Sequence, residues 1–188
     1  MELLLKRGAN VNARNIIHST LLHEAVECGN TDTTKTLLNS GADVNALGYF
    51  GDSPVLEGLQ DEDIDLMEFP VNSTVGATAW HNQYSMLPFR ASQRIIYATV
   101  QLLLEHGADV NSRGWRHKTP LHLASLGGSL DVSRLLIEHG ADINAQDDEF
   151  KTPFSIAVAN GHRKLAMFLS NGRVQEDDVR PPFHWYPS

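Results

Sequence analysis

The residue types in this chain that could carry chemistry are nine histidines, a single cysteine and three acidic runs. Histidine binds metal ions and exchanges protons near neutral pH, and a cysteine thiolate is a nucleophile or a metal ligand. Because Cys28 stands alone, neither an internal disulfide nor a cysteine-rich zinc site can form. The acidic runs lack the oxygen-ligand spacing of a calcium loop, so we interpret them as solvated faces. They are Asp61-Glu62-Asp63, Asp147-Asp148-Glu149 and Glu176-Asp177-Asp178.

Two short motifs repeat along the chain and share one period. The first recurs at steps of 33, 66 and 33 residues, as Gly8-Ala9-Asn10-Val11-Asn12, Gly41-Ala42-Asp43-Val44-Asn45, Gly107-Ala108-Asp109-Val110-Asn111 and Gly140-Ala141-Asp142-Ile143-Asn144. The second keeps the same steps, as Thr20-Leu21-Leu22-His23, Ser53-Pro54-Val55-Leu56, Thr119-Pro120-Leu121-His122 and Thr152-Pro153-Phe154-Ser155. Since two independent motifs stay in phase, the chain is predicted to be a stack of similar units.

Each unit is predicted to be a short helical hairpin. Thr119 can cap the free N–H groups of a helix, and Pro120 fills its first position, where no N–H partner is needed. Gly127-Gly128 ends that helix by allowing a left-handed turn. The second helix carries an apolar stripe of Val132, Leu135 and Leu136. Neither helix is long enough to be stable alone, so neighbouring units must stack into one continuous core.

These residues resemble the ankyrin repeat, whose pattern joins a Thr-Pro-Leu-His helix start, a central glycine, a Leu-Leu second helix and a Gly-Ala-Asp-Val-Asn exit. The resemblance covers nearly the whole chain to Gly172, and the unit from Thr119 to Asn144 matches best. It implies an all-α solenoid of stacked helical hairpins with short β-turn fingers. The predicted array is 1–172, with a partial first repeat 1–12, repeats at about 13–45, 46–77, 78–111, 112–144 and 145–172, and a Pro/aromatic tail 173–188.

The resemblance also gives most histidines a structural role, because the family uses the helix-start imidazole to hold turns together. The histidines at that position are His23, His122 and, if a further repeat begins at Gly76, His81. His18 and His117 share a finger position three periods apart, which at roughly 10 Å per helix layer places them about 30 Å apart. That distance is too long for one shared metal ion. We expect no metal site and no cofactor.

The repeat pattern is irregular between Gly58 and Ile95, and two alternatives explain it. In the preferred one, Gly76-Ala77-Thr78-Ala79-Trp80-His81 starts a further repeat, so that one unit is short and the next long. In the other, residues from about 60 to 90 are a single insertion between the two helices of one repeat. Pro70 is expected to end a short helix over 63–69, and Ala91 to His106 is predicted to be one long helix.

The finger tips are the predicted contact surface, since the resemblance implies a scaffold that binds a protein partner through its fingers and concave helix face. Three of the four tips are apolar, aromatic or arginine, and exposed aromatic and arginine side chains dominate interface energies. The alternative is that each finger packs on its neighbour. The predicted partner-binding residues are Ile16, Ile17, Tyr49, Phe50, Trp115 and Arg116.

Two other functions stay open beside the non-catalytic scaffold. The first is a small-molecule binder or enzyme with a groove pocket in the irregular 71–90 region, formed by Trp80, His81 and Tyr84. No phosphate-binding glycine loop, serine elbow or Cys-His pairing supports it, although a triad can assemble from distant positions. The second is an adaptor subunit that joins a larger complex through the aromatic tail; the alternative role of these aromatics is to cover the last repeat.

Composition and charge limit the classes of partner that this chain is expected to bind. A net charge of −8 disfavours nucleic acid and anionic lipid, and the longest apolar run, Leu165 to Leu169, is too short to span a bilayer. The lone cysteine favours a cytoplasmic or nuclear protein. The Leu3-Leu4-Leu5 stripe opens the chain without a first helix to cover it, which predicts self-association through this end or an origin in a longer array.

Overall fold

The computed structural model describes residues 3, 7–48, 51–59 and 89–171, and within them the chain is helical. The eight α-helices of this part are α1 (Leu21–Glu27), α2 (Thr31–Asn39), α3 (Pro54–Glu57), α4 (Phe89–Glu105), α5 (Pro120–Leu126), α6 (Leu130–Glu138), α7 (Pro153–Ala159) and α8 (Arg163–Asn171). A 3-10 turn spans Trp115–His117. The described backbone contains no strand beyond an isolated antiparallel bridge between Arg14 and Thr20.

The helices form two layers, as the hairpin prediction requires. Each odd-numbered helix packs against the even-numbered helix that follows it, which makes four hairpins. The inner layer is the row α1, α3, α5 and α7, and the outer layer is the row α2, α4, α6 and α8. Since each hairpin contacts only its neighbours in the row, the architecture is a solenoid.

The core runs without a break between the two layers. Its side chains come from the apolar stripe of each helix, and the largest fully buried ones include Leu22, Leu37, Leu56, Leu103, Leu121, Leu136 and Leu165. Helices of seven to nine residues, such as α5 and α6, gain their stability from this shared burial rather than from their own length.

The predicted helix-start motif is confirmed at atomic level. Thr119 N–H donates to His122 Nδ1 at 3.1 Å, and the Thr119 hydroxyl lies 2.8 Å from the same nitrogen. His122 Nε2 is then the protonated nitrogen, and it donates to Lys151 O of the next unit at 3.0 Å. His23 repeats this arrangement with Asp52 O, at 3.2 Å. The imidazole therefore closes its own helix start and ties it to the following finger.

A row of asparagines joins the ends of successive outer helices. Asn111 Nδ2 donates to Gly140 O at 3.0 Å, and Asp142 N–H donates back to Asn111 Oδ1 at 2.8 Å. Asn12 makes the same two bonds two units earlier, with Gly41 O and Asp43 N–H. The turn at Gly140 requires a φ of 91°, and glycine can adopt this positive φ because it has no β-carbon. This pair of bonds identifies which units are neighbours.

The same bonds correct the preferred division of the irregular middle. Asn45 Nδ2 donates to Gly107 O at 3.0 Å and Asp109 N–H donates to Asn45 Oδ1 at 2.8 Å, so these two ends are adjacent. In agreement, α2 packs on α4 and α1 packs on α3. The described helices between 46 and 111 thus form one hairpin, as the single-insertion alternative predicts, and not the two repeats 46–77 and 78–111. The spacing had suggested two repeats because the insertion is about one period long.

The helix that follows the insertion begins two residues earlier than predicted, directly after Pro88. Proline disfavours helical geometry in the residue before it and not in the residue after it, so the helix can begin at Phe89. The expected helix over 63–69 and the helix-start motif at 76–81 lie outside the described residues. No helix within the described ranges has the length and apolar character needed to cross a membrane.

Candidate functional site

The fingers lie between each outer helix and the next inner helix, and local side chains shape them. In the first finger Asn15 Oδ1 accepts from Ile17 N–H and Ser19 N–H, both at 3.0 Å. In the fourth, Asp147 Oδ1 accepts two backbone N–H groups in the same way, both at 2.9 Å. A short acceptor side chain at this position holds the backbone in a tight turn.

The third finger lacks that side chain, because Gly114 stands at the position of Asn15 and Asp147. Asp52 of the preceding finger supplies the carboxylate instead, and its Oδ1 accepts from Trp115 N–H at 3.1 Å. Asp52 is 4% exposed. This buried carboxylate escaped the sequence analysis, since nothing in its own segment shows that a neighbouring unit needs an acceptor.

Large apolar side chains project from the described finger tips. Ile16 is 97% exposed and Phe150 is 79% exposed, while Trp115 and Ile17 are each 39% exposed. Such exposure costs solvation free energy unless a partner covers the side chain. Phe150 was not among the predicted residues, although it stands one period after His117 and could have been found by phase.

The finger backbone is strained at one recurring position. His18, His117 and Phe150 occupy it with positive φ angles of 64°, 54° and 59°, and Gly51 occupies it in the second finger. Arg116, beside His117, also has a positive φ of 55°. Non-glycine residues pay a free-energy cost in this conformation, so the surrounding bonds must hold the tips in place.

Neighbouring fingers are linked by arginines at equivalent positions. Arg14 donates to Leu47 O at 2.5 Å, and Arg113 donates to Gln146 O at 3.2 Å. Arg116 forms an ion pair of 2.9 Å with Glu149. For Arg116 the structure shows the neighbour packing that the sequence analysis kept as its alternative, so this side chain is already engaged within the array.

The third and fourth fingers carry the densest set of charges. Besides the Arg116 ion pair, His117 Nδ1 contacts Asp148 Oδ1 and Lys151 contacts Glu149 at 2.5 Å. The hydrogen bond from Lys151 lowers the pKa of the Glu149 carboxyl, which keeps it ionised. These bonds hold together the two fingers from which Trp115 and Phe150 project.

An acidic cluster consists of Glu24 and Glu27 on α1, Glu57 on α3 and Asp52 in the finger that precedes α3. Burial, and after it the negative charges of Glu27, Asp52 and Glu24, raise the pKa of Glu57 to about 7. Cys28 lies at the end of α1, and partial burial followed by Glu27 and Glu24 raises the pKa of its thiol. A nucleophilic cysteine needs the opposite shift, so Cys28 lacks activation of that kind.

The histidines at helix starts are held neutral. Burial lowers the pKa of His23 and of His122, and their ring nitrogens are occupied by the bonds given above. His18 and His117 are two steps apart in the stack rather than three, because the described helices between 46 and 111 form one hairpin. Within the described ranges no group of three or more His, Cys, Asp or Glu side chains is placed to hold a metal ion.

Comparison with known proteins identifies the repeat. A family described as "Ankyrin repeats (3 copies)" matches residues 89–178, and the single "Ankyrin repeat" matches residues 18–49. The chain belongs to the ankyrin repeat family. Among curated relatives, the fowlpox virus (strain NVSL) ankyrin repeat protein FPV244 is 36% identical over 130 residues, which is 69% of this chain and 19% of FPV244.

Two further relatives show the same likeness. The fowlpox virus ankyrin repeat protein FPV230 is 33% identical over 130 residues, covering 65% of this chain and 65% of FPV230. The mouse B-cell lymphoma 3 protein homolog is 28% identical over 128 residues, covering 68% of this chain and 29% of that protein. The chain therefore spans about a fifth of FPV244 and just under two thirds of FPV230. Ankyrin repeats are in general protein–protein interaction modules.

Some of the predicted partner-binding and pocket residues lie in parts of the chain that the structure does not describe. Tyr49, Phe50, Trp80, His81 and Tyr84 lie outside the described residues, so both the second finger tip and the groove pocket stay predictions. The N-terminal stripe is described only at Leu3, which is 62% exposed. Ile16, Ile17 and Trp115 are exposed on fingers as predicted, and their contact with a partner also stays a prediction.

Proposed function

We propose that this ankyrin repeat chain is a non-catalytic interaction scaffold, and that it binds a protein partner through the finger tips and the adjoining inner helices. The observation that carries the proposal is the display of large apolar side chains on braced fingers. Ile16, Trp115 and Phe150 are exposed there, at 97%, 39% and 79%. Aromatic side chains on a rigid support lose little entropy on binding and are frequent interface anchors.

The bonds between fingers support this proposal because they reduce the cost of association. Arg113 and Arg116 tie the third finger to the fourth through Gln146 O and Glu149. A partner that covers Trp115 and Phe150 would therefore meet a surface whose backbone is already ordered. Preorganisation of this kind raises affinity without adding contacts.

The acidic cluster on α1 and α3 gives the proposed partner a charge preference. Glu24 and Glu27 are exposed beside the half-buried Glu57. A basic segment seated there would place positive charge beside Glu24 and lower the pKa of Glu57 back toward its ordinary value. We therefore expect the partner to present apolar side chains to the fingers and basic side chains to these helices.

A matched pair of variants tests the proposed surface. Trp115→Ala removes a finger side chain that is 39% exposed, and Tyr97→Ala removes one on the outer helix α4 that is 37% exposed. Proteins captured by the wild type are identified by mass spectrometry, and each purified candidate is then titrated against both variants. Trp115→Ala should weaken a true partner by about thirtyfold in Kd, and Tyr97→Ala should leave Kd unchanged.

The outcomes separate the functional classes. Equal Kd values for the wild type and Trp115→Ala, together with a loss on Tyr97→Ala, would place the contact on the outer layer and reject the proposed surface. A rise in Tm with a metabolite rather than a protein would favour the small-molecule alternative, since a ligand that binds only the folded state stabilises it.

A further inference from the structure

The last inner helix, α7, exposes side chains at positions that are buried in every other unit. Phe154 is 40% exposed, whereas Leu22, Val55 and Leu121 at the equivalent positions are each 0% exposed. Val158 is 54% exposed, and its equivalents Val26, Leu59 and Ser125 are at most 8% exposed. We call Phe154 and Val158 the end face of the array.

The end face differs from the finger surface because its exposure comes from the solenoid geometry. In the three preceding units, the next inner helix covers these two positions, through the packing of α1 on α3, α3 on α5 and α5 on α7. Within the described ranges nothing packs on the far side of α7. An apolar surface that is buried in each earlier step requires a cover of some kind.

We propose that the segment 172–188 of this same chain covers the end face, with its aromatic residues against Phe154 and Val158. The segment follows α8 at the point where each earlier outer helix leads into the finger of the next unit. The segment is about half as long as the 33-residue period. In the described units, half a period carries the chain from the end of an outer helix to the start of the next inner helix.

The repeat phase brings the aromatic residues of this segment to the required place. One period after Phe150, Thr152 and Pro153 come Phe183, Trp185 and Tyr186. In the described units the last two positions form the start of an inner helix, which packs on the preceding inner helix, and the first lies on the exposed finger tip. Trp185 and Tyr186 are therefore in phase with the surface that lies open on α7, and Phe183 is beside it in sequence.

Ser155 favours this irregular cover over a further regular unit. At the equivalent position His23 and His122 donate to a backbone carbonyl of the following finger. Ser155 instead bonds within its own helix start, where its hydroxyl donates to Thr152 O at 2.9 Å and accepts from Thr152 N–H at 2.9 Å. The Ser155 hydroxyl therefore makes its hydrogen bonds within the last described unit, whereas the equivalent imidazoles bond to the following unit.

The first test uses Trp185 as a reporter of burial. In the full chain with Trp80→Phe and Trp115→Phe, Trp185 is the remaining tryptophan. Its emission should be blue-shifted and protected from iodide quenching. Val158→Glu should shift the emission to that of the urea-unfolded chain, while Met167→Glu, at a residue that is 37% exposed on α8, should not. Emission of a solvent-exposed tryptophan before any change at Val158 would overturn the proposal.

A second measurement keeps the proposal falsifiable if Val158→Glu destabilises the fold. The full chain with Phe183→Ala, Trp185→Ala and Tyr186→Ala should exchange its α7 amide hydrogens about tenfold faster, the change produced by a loss of about 1.4 kcal/mol of protection. The polar control Gln175→Ala with Glu176→Ala should leave the exchange unchanged. Equal exchange in all three proteins would overturn the proposal.

Sedimentation velocity identifies the rival occupant. If the protection of Trp185 appears only with rising protein concentration and together with a species of twice the mass, a second copy covers the end face and the proposal fails. Protection in a monomer at all concentrations agrees with cover by the same chain.

Discussion

Asp52 and Gly114 fit one another across two neighbouring fingers, since a β-carbon added at residue 114 would lie 1.8 Å from Asp52 Oδ1. The same carboxylate accepts the Trp115 N–H, so it must stay in this position. Gly114→Ala should therefore force the fingers apart and lower the free energy of unfolding by about 1–3 kcal/mol. Urea denaturation of the variant and the wild type measures the difference.

A double-mutant cycle tests the cause of that loss. In an Asp52→Ala background the carboxylate is absent, so Gly114→Ala should cost less than it does in the wild type. The cost will not vanish, because Leu56 Cδ1 also lies 2.9 Å from the added β-carbon. Strictly additive effects of the two changes would show that Asp52 and Gly114 do not constrain one another.

His122→Ala should lower the free energy of unfolding by about 1–3 kcal/mol, because it leaves the buried Thr119 N–H without its acceptor and removes one of the two donors to Lys151 O. The control is His139→Ala, at an exposed residue, which should stay within about 0.5 kcal/mol. Urea melts at neutral pH compare the two variants. Equal losses would contradict the role of His122 as the tie between units.

His122 also predicts a pH dependence. Burial lowers its pKa below the ordinary 6.5, so the folded state favours the neutral ring. Its stabilising contribution is complete above 6.5 and is lost as the pH falls through the lower folded value. The wild type should therefore lose stability on acidification in this window more steeply than His122→Ala does. Parallel pH profiles of the two proteins would reject the assignment.

Glu57 predicts the opposite dependence, since its pKa is raised from 4.5 to about 7. The folded state favours the protonated carboxyl, so this contribution is complete below 4.5 and is lost as the pH rises through about 7. Glu57→Gln keeps the uncharged shape and should be more stable than the wild type by about 1–3 kcal/mol above pH 7. Glu138→Gln on the exposed face of α6 should show no such gain. A flat difference between Glu57→Gln and the wild type across this range would disprove the shift.

The strained finger position predicts a separation of stability from binding. Phe150→Gly relieves a positive φ of 59° and should raise the free energy of unfolding by about 0.5–1 kcal/mol. His18→Gly relieves the same strain without removing an aromatic ring. Under the proposed function only Phe150→Gly should weaken partner binding, and titration of both variants with a validated partner checks it. Destabilisation by both glycines would show that the tips are not strained.

Core and finger substitutions should also act on different properties. Leu136→Ala removes a side chain that is 0% exposed and should cost about 2–5 kcal/mol of unfolding free energy. Trp115→Ala should cost no more than about 1 kcal/mol, because part of its ring is already in water. Chemical denaturation orders the two. If Trp115→Ala were the more damaging change, the assignment of the two faces would be reversed.

The sequence alone determined the unit of this protein. The helix-start motif at Thr119, the glycine that closes each outer helix and the leucine stripe are local signals, and each depends only on residues a few positions apart. Because the hydrogen-bonding role of His122 is built into that motif, its position could be predicted as well. The exposure of Ile16 and Trp115 also followed from phase, since positions outside the packing stripes have no unit to cover them.

Only the tertiary structure decided how the units meet. The 33-residue period measures length along the chain, so it could not distinguish an extra repeat from an insertion of the same length. The bond from Asn45 to Gly107 distinguishes them, because it shows which outer helices are neighbours. Two contacts join residues of different units, namely the pairing of Asp52 with Gly114 and the ion pair of Arg116 with Glu149. The raised pKa of Glu57 also depends on another unit, because Glu24 and Glu27 of α1 contribute to it. Such contacts arise when the stack forms, because stacking brings together side chains that no local pattern relates.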